Sequence, residues 1–433
     1  MTKFKNNVLI KNIFILLVSG MIAKVIGMVG KIVYTRQAGV NIVSLYSLIT
    51  PTFMLIISIC QFSFPISISK LAAENKHDNK KLLISAYALG FIINIIVMIF
   101  ILIFAKTIAN LLHNKILYKA IISIIFILPL ITVSSIQRGF LHGKENMFPA
   151  SVTNVTEEII KIILIITVFP LAVLKSNICA VITIILFNII TEASSIMIMS
   201  KAIKRYIKKD KVKMDRKTMI DIIKISLPTT LIRLISSIGF FLEPILLTYV
   251  LVKGGYSPNY ITLEYGIISS YIVPLLSMPS FFSTGIASAL LPNITKAYAN
   301  KRYQEFNSKL LKLIIISIIV GMACLGLIMV FPDEILEIIY GVSFGVNYIY
   351  LIGPFFLILY IQPALSAAIQ AMGKTNKLFY VSLTSTILKY GVLFLCGTMG
   401  FGMNSLVFSM ITGIIVTTLL ILITVLKETT KKS

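Results

Sequence analysis

The sequence predicts an all-α polytopic membrane protein. Of the 433 residues, 57% are hydrophobic and only 13% are charged, and the mean hydropathy is +0.95. Apolar stretches long enough to cross a bilayer recur along the whole chain, and they lack the polar alternation of outer-membrane strands. Because backbone groups find no partners in hydrocarbon, these stretches are predicted to be helices.

Twelve apolar stretches follow one another in chain order, and each predicts one transmembrane helix. They cover residues 8–36, 43–70, 82–106, 117–141, 149–174, 177–203, 218–252, 263–293, 308–331, 346–372, 377–400 and 402–426. The first stretch is too long for the core of a signal peptide, and no small-residue cleavage site follows it. We therefore expect an uncleaved first helix and about twelve spans in all.

The net charge of +24 is explained better by membrane topology than by nucleic-acid binding. With a cytoplasmic N-terminus, 28 Lys and Arg residues fall in cytoplasmic segments, 6 in outward loops and 6 within helices. This asymmetry predicts that both termini are cytoplasmic. Nine basic residues lie within residues 201–217, a loop that either sets topology alone or also attracts anionic lipid headgroups.

The chain repeats itself at a nearly constant spacing. Three pairs of similar segments, with offsets of 226, 227 and 230 residues, are centred on Lys70 and Lys296, Ile108 and Ile335, and Gly143 and Gly373. This predicts a six-helix bundle at 1–203, a basic linker at 204–217 and a second bundle at 218–433. An approximate two-fold axis along the membrane normal would relate the bundles and place a substrate site between them. Gly143 and Gly373 are expected to end helices with glycine-permitted backbone geometry.

Proline and glycine residues inside the predicted helices are candidate hinges. A proline frees a helical carbonyl and permits a kink, and small residues allow helices to bend or to pack closely. Static kinks and close packing are the alternative explanations. The hinge candidates are Gly27, Gly30, Pro51, Pro228 and Pro274.

Lys24 and Lys31 lie seven residues apart in the first helix, which places them on one stripe of its surface. A charge at mid-bilayer depth costs roughly 2.5–3.5 kcal/mol, so we expect both ammonium groups to face a watery cavity or a partner. The sequence therefore predicts a cationic cavity that receives an anion, with neutralisation by an acid as the alternative.

Five other basic residues extend this prediction. Those assigned to the cavity are Arg233, Lys161 and Lys389, and those nearer helix ends, assigned to its mouth, are Arg36 and Arg138. Glu157 and Lys161 are four residues apart and are able to pair on one helical face.

No catalytic, metal or cofactor site is predicted. The three histidines and four cysteines occur singly, without the spacing of a metal, redox or nucleophile motif. They are His77, His113, His142, Cys60, Cys179, Cys324 and Cys396.

Three segments resemble the stage V sporulation protein B family of the multidrug, oligosaccharidyl-lipid and polysaccharide flippase superfamily. They are residues 14–27, residues 65–74 and residues 138–149. The resemblance implies a two-bundle, alternating-access flippase whose first helix lines the cavity with basic residues, at the positions of Lys24 and Lys31. Relatives usually carry two further C-terminal helices, thought to hold the polyprenyl tail, whereas this chain ends soon after the twelfth helix.

The function predicted is export of a lipid-linked oligosaccharide or peptidoglycan precursor across the plasma membrane of a bacterium. The expected partners are a lipid-linked glycan pyrophosphate and membrane lipids. The sequence does not identify a coupling ion. A drug or cation exporter, for which a carboxylate-dominated cavity is expected, and a non-transporting scaffold are the alternatives.

Overall fold

The computed structural model describes residues 2–207 and 214–430, with side chains from residue 15 to residue 429 except residues 17, 208–213, 289 and 292. Helices account for all regular secondary structure in these residues. The predicted all-α class is therefore confirmed. Contacts divide the chain into two compact units, Met1–Phe241 and Leu242–Ser433.

The N-terminal unit holds the first eight helices and most of the ninth. They are α1 (Thr2–Gln61), α2 (Phe64–Glu74), α3 (Asn79–Leu111), α4 (Leu117–Ser123), α5 (Leu128–Gly143), α6 (Phe148–Thr167), α7 (Phe169–Lys175), α8 (Asn177–Ile203) and α9 (Arg216–Lys253). A short 3-10 helix, Ile124–Ile127, joins α4 to α5.

The C-terminal unit holds the end of α9 and seven further helices. They are α10 (Pro258–Gly266), α11 (Val273–Ala299), α12 (Tyr303–Val330), α13 (Pro332–Tyr340), α14 (Val346–Ala371), α15 (Thr375–Thr398) and α16 (Asn404–Thr430). A π-helical segment, Ile267–Ile272, joins α10 to α11.

The two first predicted spans lie in one long helical stretch. Gly39 interrupts α1 with a φ of 68° and a ψ of 168°, a conformation that glycine adopts at little cost. Phe62 and Ser63 also have positive φ angles, so α1 ends at Gln61 and α2 starts anew at Phe64.

Ten helical segments of the described chain are long and apolar enough to cross a membrane. One of them, Val18–Glu74, contains the first two predicted spans. The fifth predicted span, formed by α6 and α7, is not among the ten, and α6 carries three charged side chains, Glu157, Glu158 and Lys161. All twelve predicted spans nevertheless lie in helices of the described chain.

The division between the units falls within α9. Three hydroxyl pairs tie its first part to the N-terminal unit: Ser226 to Ser67 at 2.7 Å, Thr230 to Ser63 at 3.1 Å, and Ser237 to Ser58 at 2.9 Å. The sequence assigns all of this helix to the C-terminal bundle because hydropathy does not reveal such side-chain pairs. Of the predicted basic linker, residues 208–213 lie outside the described residues.

The two matched glycines play different roles. Gly373 has a φ of 70°, as predicted for a glycine that ends a helix. Gly143 ends α5, but the positive φ angle falls on Glu145 instead, so the predicted geometry is wrong at this position. A Cβ at Gly143 would lie 2.4 Å from the Ser69 carbonyl oxygen. Close approach of α2 therefore explains this glycine.

The proline hinge candidates occupy two kinds of position. Pro51 lies inside α1, and Pro228 lies within α9. Pro274 lies in the first turn of α11, directly after the π-helical segment. Only Pro274 thus coincides with a change of helix type, and the hinge roles stay predictions.

Candidate functional site

The lysine stripe of α1 is the first component of the candidate site. The helix is continuous between residues 18 and 38, so Lys24 and Lys31 share one face as predicted from their spacing. Lys24 is exposed, and Lys31 is half-buried. Gly27 lies between them on the same face, three residues after Lys24 and four before Lys31.

The same face of α1 packs closely on α6. A Cβ at Gly27 would lie 3.0 Å from Oε2 of Glu158, and one at Gly30 would lie 2.9 Å from Cγ1 of Ile162. Both glycines therefore occupy close-packing positions, the alternative to a hinge. The packing also brings a carboxylate onto the stripe that carries Lys24 and Lys31, a juxtaposition of distant segments that the sequence analysis did not find.

Lys161 lies beside this seam between α1 and α6. It is half-buried, follows Glu158 by three residues, and lies close enough to act electrostatically on the Glu158 carboxylate. The structure thus brings Lys24, Lys31 and Lys161 near the seam and adds an acid. Cationic groups and a carboxylate lie together there, and an anionic ligand would compete with Glu158 for the Lys161 ammonium group.

Arg138 joins α5 to α6 through its guanidinium group, and its partner Glu157 links this pair to α8. Its Nη1 donates to Oδ1 of Asn154 at 2.9 Å, and its Nη2 donates to Oε1 of Glu157 at 3.0 Å. Ser195 donates to the same Glu157 oxygen. The predicted pairing of Glu157 with Lys161 is therefore wrong: Glu157 pairs with Arg138, because α5 presents a planar donor that two acceptors on α6 can share.

Glu192 adds an unpaired acceptor to this network. Its Oε2 atom is buried and has no hydrogen-bond partner among the described residues. Arg138 and Glu157 both act electrostatically on its carboxyl group. Buried polar atoms are almost always hydrogen-bonded, so this oxygen is able to accept a further hydrogen bond inside the N-terminal unit.

Two other predicted basic residues of the N-terminal unit lie apart from the seam. Arg233, half-buried on α9, donates from Nη2 to Oε1 of Gln61 at 3.0 Å. Arg36 is exposed, near the break at Gly39. Arg233 thus contacts the end of α1 that lies beyond the break at Gly39.

Lys389 belongs to the C-terminal unit and forms an ion pair with Glu243. The Glu243 side chain is 3% exposed and that of Lys389 is 23% exposed. The lysine stem also lies against Gly413, whose Cβ would be 3.5 Å from Cδ of Lys389. The charge of Lys389 is therefore offset within its own unit, and a substrate anion at this position would have to displace the carboxylate.

A cavity of about 450 Å³ lies between α11 and α14, within the C-terminal unit. We call it the α11–α14 cavity. Its lining residues are Ser280, Thr284, Ala287, Ser288, Leu291, Leu359, Gln362, Pro363, Ser366, Ala367 and Gln370. Six of these carry a hydroxyl or an amide, and none of the described lining residues is charged.

The sequence analysis missed this cavity, although a signal for it exists. Ser280, Thr284 and Ser288 recur every four residues on α11, and Gln362, Ser366 and Gln370 recur every four residues on α14. Positions four apart share a helix face. Two neutral polar stripes on otherwise apolar helices therefore predict a polar surface, but only the fold shows that they face one cavity.

Comparison with known proteins identifies two matching family models. The model described as polysaccharide biosynthesis protein matches residues 9–298, and the model described as MatE matches residues 269–395. The first match covers well over half of the chain.

Two relatives from Bacillus subtilis (strain 168) match nearly the whole chain. Stage V sporulation protein B is 28% identical over 432 residues, which cover 96% of this chain and 83% of that protein. Sporulation protein YkvU is 26% identical, with 97% of this chain and 96% of that protein covered. The resemblance predicted from the sequence motifs is confirmed.

A solved structure of similar fold is that of an inward-facing multidrug resistance MATE family transporter of the MOP superfamily. It has a TM-score of 0.71 and 16% sequence identity, and the match covers 97% of this chain and 98% of that one. At this identity the likeness shows the fold alone, an all-α fold shared with that protein.

Proposed function

This chain belongs to the polysaccharide biosynthesis protein family, and we propose that it is an alternating-access flippase that exports a lipid-linked oligosaccharide or peptidoglycan precursor. The headgroup of such a substrate is too polar to cross hydrocarbon unaided, whereas its tail can remain in lipid. The protein therefore needs only to shield the headgroup. Its place is the plasma membrane of a bacterium, with both termini in the cytoplasm.

The observation that carries this proposal is the lysine stripe of α1. Two ammonium groups lie on one face of a membrane-spanning helix, seven residues apart, where isolated charges are costly. Lysines act as point charges toward phosphate, and a pyrophosphate linkage presents several negative oxygens. Lys24 and Lys31 bind this linkage in the proposed mechanism, and the Glu158 carboxylate lies beside their stripe at Gly27.

The names of the relatives supply the biological context of the proposal. Both Bacillus relatives are named as sporulation proteins, and the matching family model is named for polysaccharide biosynthesis. A precursor of the cell wall or of the spore cortex is accordingly the substrate class that we propose.

A cation or drug exporter is the second candidate. The cluster of Glu157, Glu158 and Glu192 in the N-terminal unit favours it, as does the match to the MatE family model. However, Arg138 already neutralises Glu157, and the α1 stripe is cationic. The flippase is therefore the better supported of the two.

The deciding experiment reconstitutes the purified full-length chain in liposomes that contain fluorescent lipid II. Transfer of the label to the opposite leaflet, above the rate of protein-free liposomes, supports the flippase. Transport of a cationic dye such as ethidium without lipid transfer would support the drug exporter. A folded protein that moves neither probe would contradict transport and leave the scaffold.

A further inference from the structure

We propose that the α11–α14 cavity binds the uncharged, hydroxyl-rich sugar portion of the substrate. This inference rests on the proposed function and deepens it, because it separates recognition of sugar from recognition of pyrophosphate. The cavity volume of about 450 Å³ falls within the range of ligand sites. The lack of charge in its described lining and the hydrogen-bond acceptors on its two walls indicate the class of ligand.

The hydroxyl groups on α11 have already used their donors. Ser280 donates to the Ser277 carbonyl at 2.6 Å, Thr284 to the Phe281 carbonyl at 2.9 Å, and Ser288 to the Thr284 carbonyl at 2.8 Å. A hydroxyl oxygen that donates in this way keeps two lone pairs as acceptors. The α11 wall of the cavity thus presents acceptors for hydrogen bonds.

The α14 wall has the same character. Nε2 of Gln362 donates to Thr418 Oγ1 at 2.9 Å and to the Ile414 carbonyl at 3.3 Å, which leaves its Oε1 atom as an acceptor. Pro363 has no N–H, so the carbonyl of Leu359 lacks its usual helical donor. Leu359, Gln362 and Pro363 all line the cavity. Both walls are therefore rich in acceptors.

An acceptor-rich, uncharged cavity suits a sugar better than a phosphate or a cation. A phosphate needs donors or positive charge, and a buried cation needs a carboxylate, because an uncompensated charge is costly to desolvate. The described lining carries no charged side chain of either sign. Sugar hydroxyls bring donors without net charge, and the apolar faces of sugar rings can pack on Ala287, Leu291 and Ala367.

Binding measurements with two lipids test this assignment. The variant T284V/S288A removes two acceptors without adding bulk, and the control S277A/T424V removes two back-bonded hydroxyls outside the cavity lining. Affinity is measured in nanodiscs for undecaprenyl pyrophosphate with and without an attached disaccharide. We expect T284V/S288A to bind the sugar-bearing lipid about tenfold more weakly and the sugar-free lipid unchanged. Equal loss for both lipids, or for neither, would overturn the proposal.

A labelling experiment with soluble sugar keeps the inference separable from the flippase function. L291C places a thiol at the cavity wall and leaves every polar lining residue in place, and mass spectrometry reads modification at residue 291 apart from the four native cysteines. The lipid-free disaccharide should slow maleimide modification there, and inorganic pyrophosphate should not. Protection without lipid transfer in liposomes would retain the sugar site and reject the flippase. Lipid transfer without protection would reject the sugar site alone.

Discussion

Gly27 and Glu158 meet across the seam between α1 and α6, where a Cβ at Gly27 would lie 3.0 Å from the carboxylate oxygen Oε2. Glycine at this position lets an acid reach the face that carries both membrane lysines. The lysine stripe is therefore not a purely cationic surface, because a carboxylate lies beside it. In the proposed mechanism, the pyrophosphate of the substrate binds to the two ammonium groups of this mixed surface.

The double variant K24Q/K31Q should lose transport of lipid-linked pyrophosphate, because each ammonium contributes a charge-assisted interaction. We expect a fall in flipping rate of at least about tenfold, measured in liposomes, with a thermal unfolding temperature close to that of the unmodified protein. K224Q/K312Q is the matched control, because it removes two exposed lysines from other spanning helices. A stable K24Q/K31Q protein with a normal flipping rate would reject the cavity assignment. A loss of stability that E158Q restores would assign the lysines to neutralisation of Glu158.

Gly143 should not tolerate alanine. A Cβ there would lie 2.4 Å from a backbone oxygen of Ser69, which cannot move aside without shifting α2. G143A is expected to cost about 1–3 kcal/mol of stability, read from thermal or denaturant unfolding. G20A is the control, because the same addition at Gly20 meets no described atom within 4 Å. Equal stability of the two variants would show that the α2–α5 approach is not tight.

Replacing one partner of the Lys389–Glu243 ion pair should lower the free energy of unfolding more than replacing both partners. K389M leaves a nearly fully buried carboxylate without its partner, so we expect a loss on the order of 3 kcal/mol. K389M/E243M removes both charges and should recover most of that loss. A double-mutant cycle by thermal unfolding measures the coupling. Full transport activity of the double variant would also show that Lys389 is not needed for substrate binding.

Asp215 should make stability sensitive to acid. It accepts hydrogen bonds from the Thr218 backbone and hydroxyl at 3.2 and 2.7 Å and lies 3.4 Å from Nζ of Lys81. Chiefly the Thr218 hydroxyl holds the pKa of this carboxyl below the ordinary aspartate value of 3.8. The stabilisation is therefore present above about pH 3.8 and is lost as the pH falls through the lower pKa of the folded protein.

The test for Asp215 is an unfolding series from pH 7 down to pH 2.5. D215N should lower the unfolding temperature at neutral pH and show a shallower decline in acid than the unmodified protein. D78N serves as a matched control, because Asp78 also accepts backbone hydrogen bonds at the start of a helix, α3. Parallel curves for D215N and the unmodified protein would contradict the assignment.

The helices were predictable from the sequence, whereas the partners of the polar residues were not. Hydropathy alone located helices at all twelve predicted positions, because a bilayer demands long apolar segments whatever the tertiary packing. The pairing of Glu157 required knowledge of α5, since Arg138 precedes it by 19 residues on a different helix. The rule that oppositely charged residues four apart on one helix can pair favours Lys161 instead, because it does not consider neighbouring helices.

The α11–α14 cavity shows the same limit. The four-residue spacing of Ser280, Thr284 and Ser288 is visible in the sequence, but hydroxyls in membrane helices commonly bond to their own backbone and need no cavity. The presence of a second stripe on α14 becomes informative only when the two helices are known to be neighbours. Glycine contacts also depend on tertiary structure: the sequence makes Gly27 a hinge candidate and Gly143 a helix-ending residue, and only the atoms opposite them show that both are close-packing positions.

The three hydroxyl pairs on α9 decide how this protein can be divided. A chain cut between residues 208 and 213 gives a first fragment with Ser58, Ser63 and Ser67 and a second fragment with their partners on α9. Neither fragment then contains a complete N-terminal unit. Two separately synthesised sequence repeats can therefore restore the N-terminal unit only if α9 of the second fragment packs against the first.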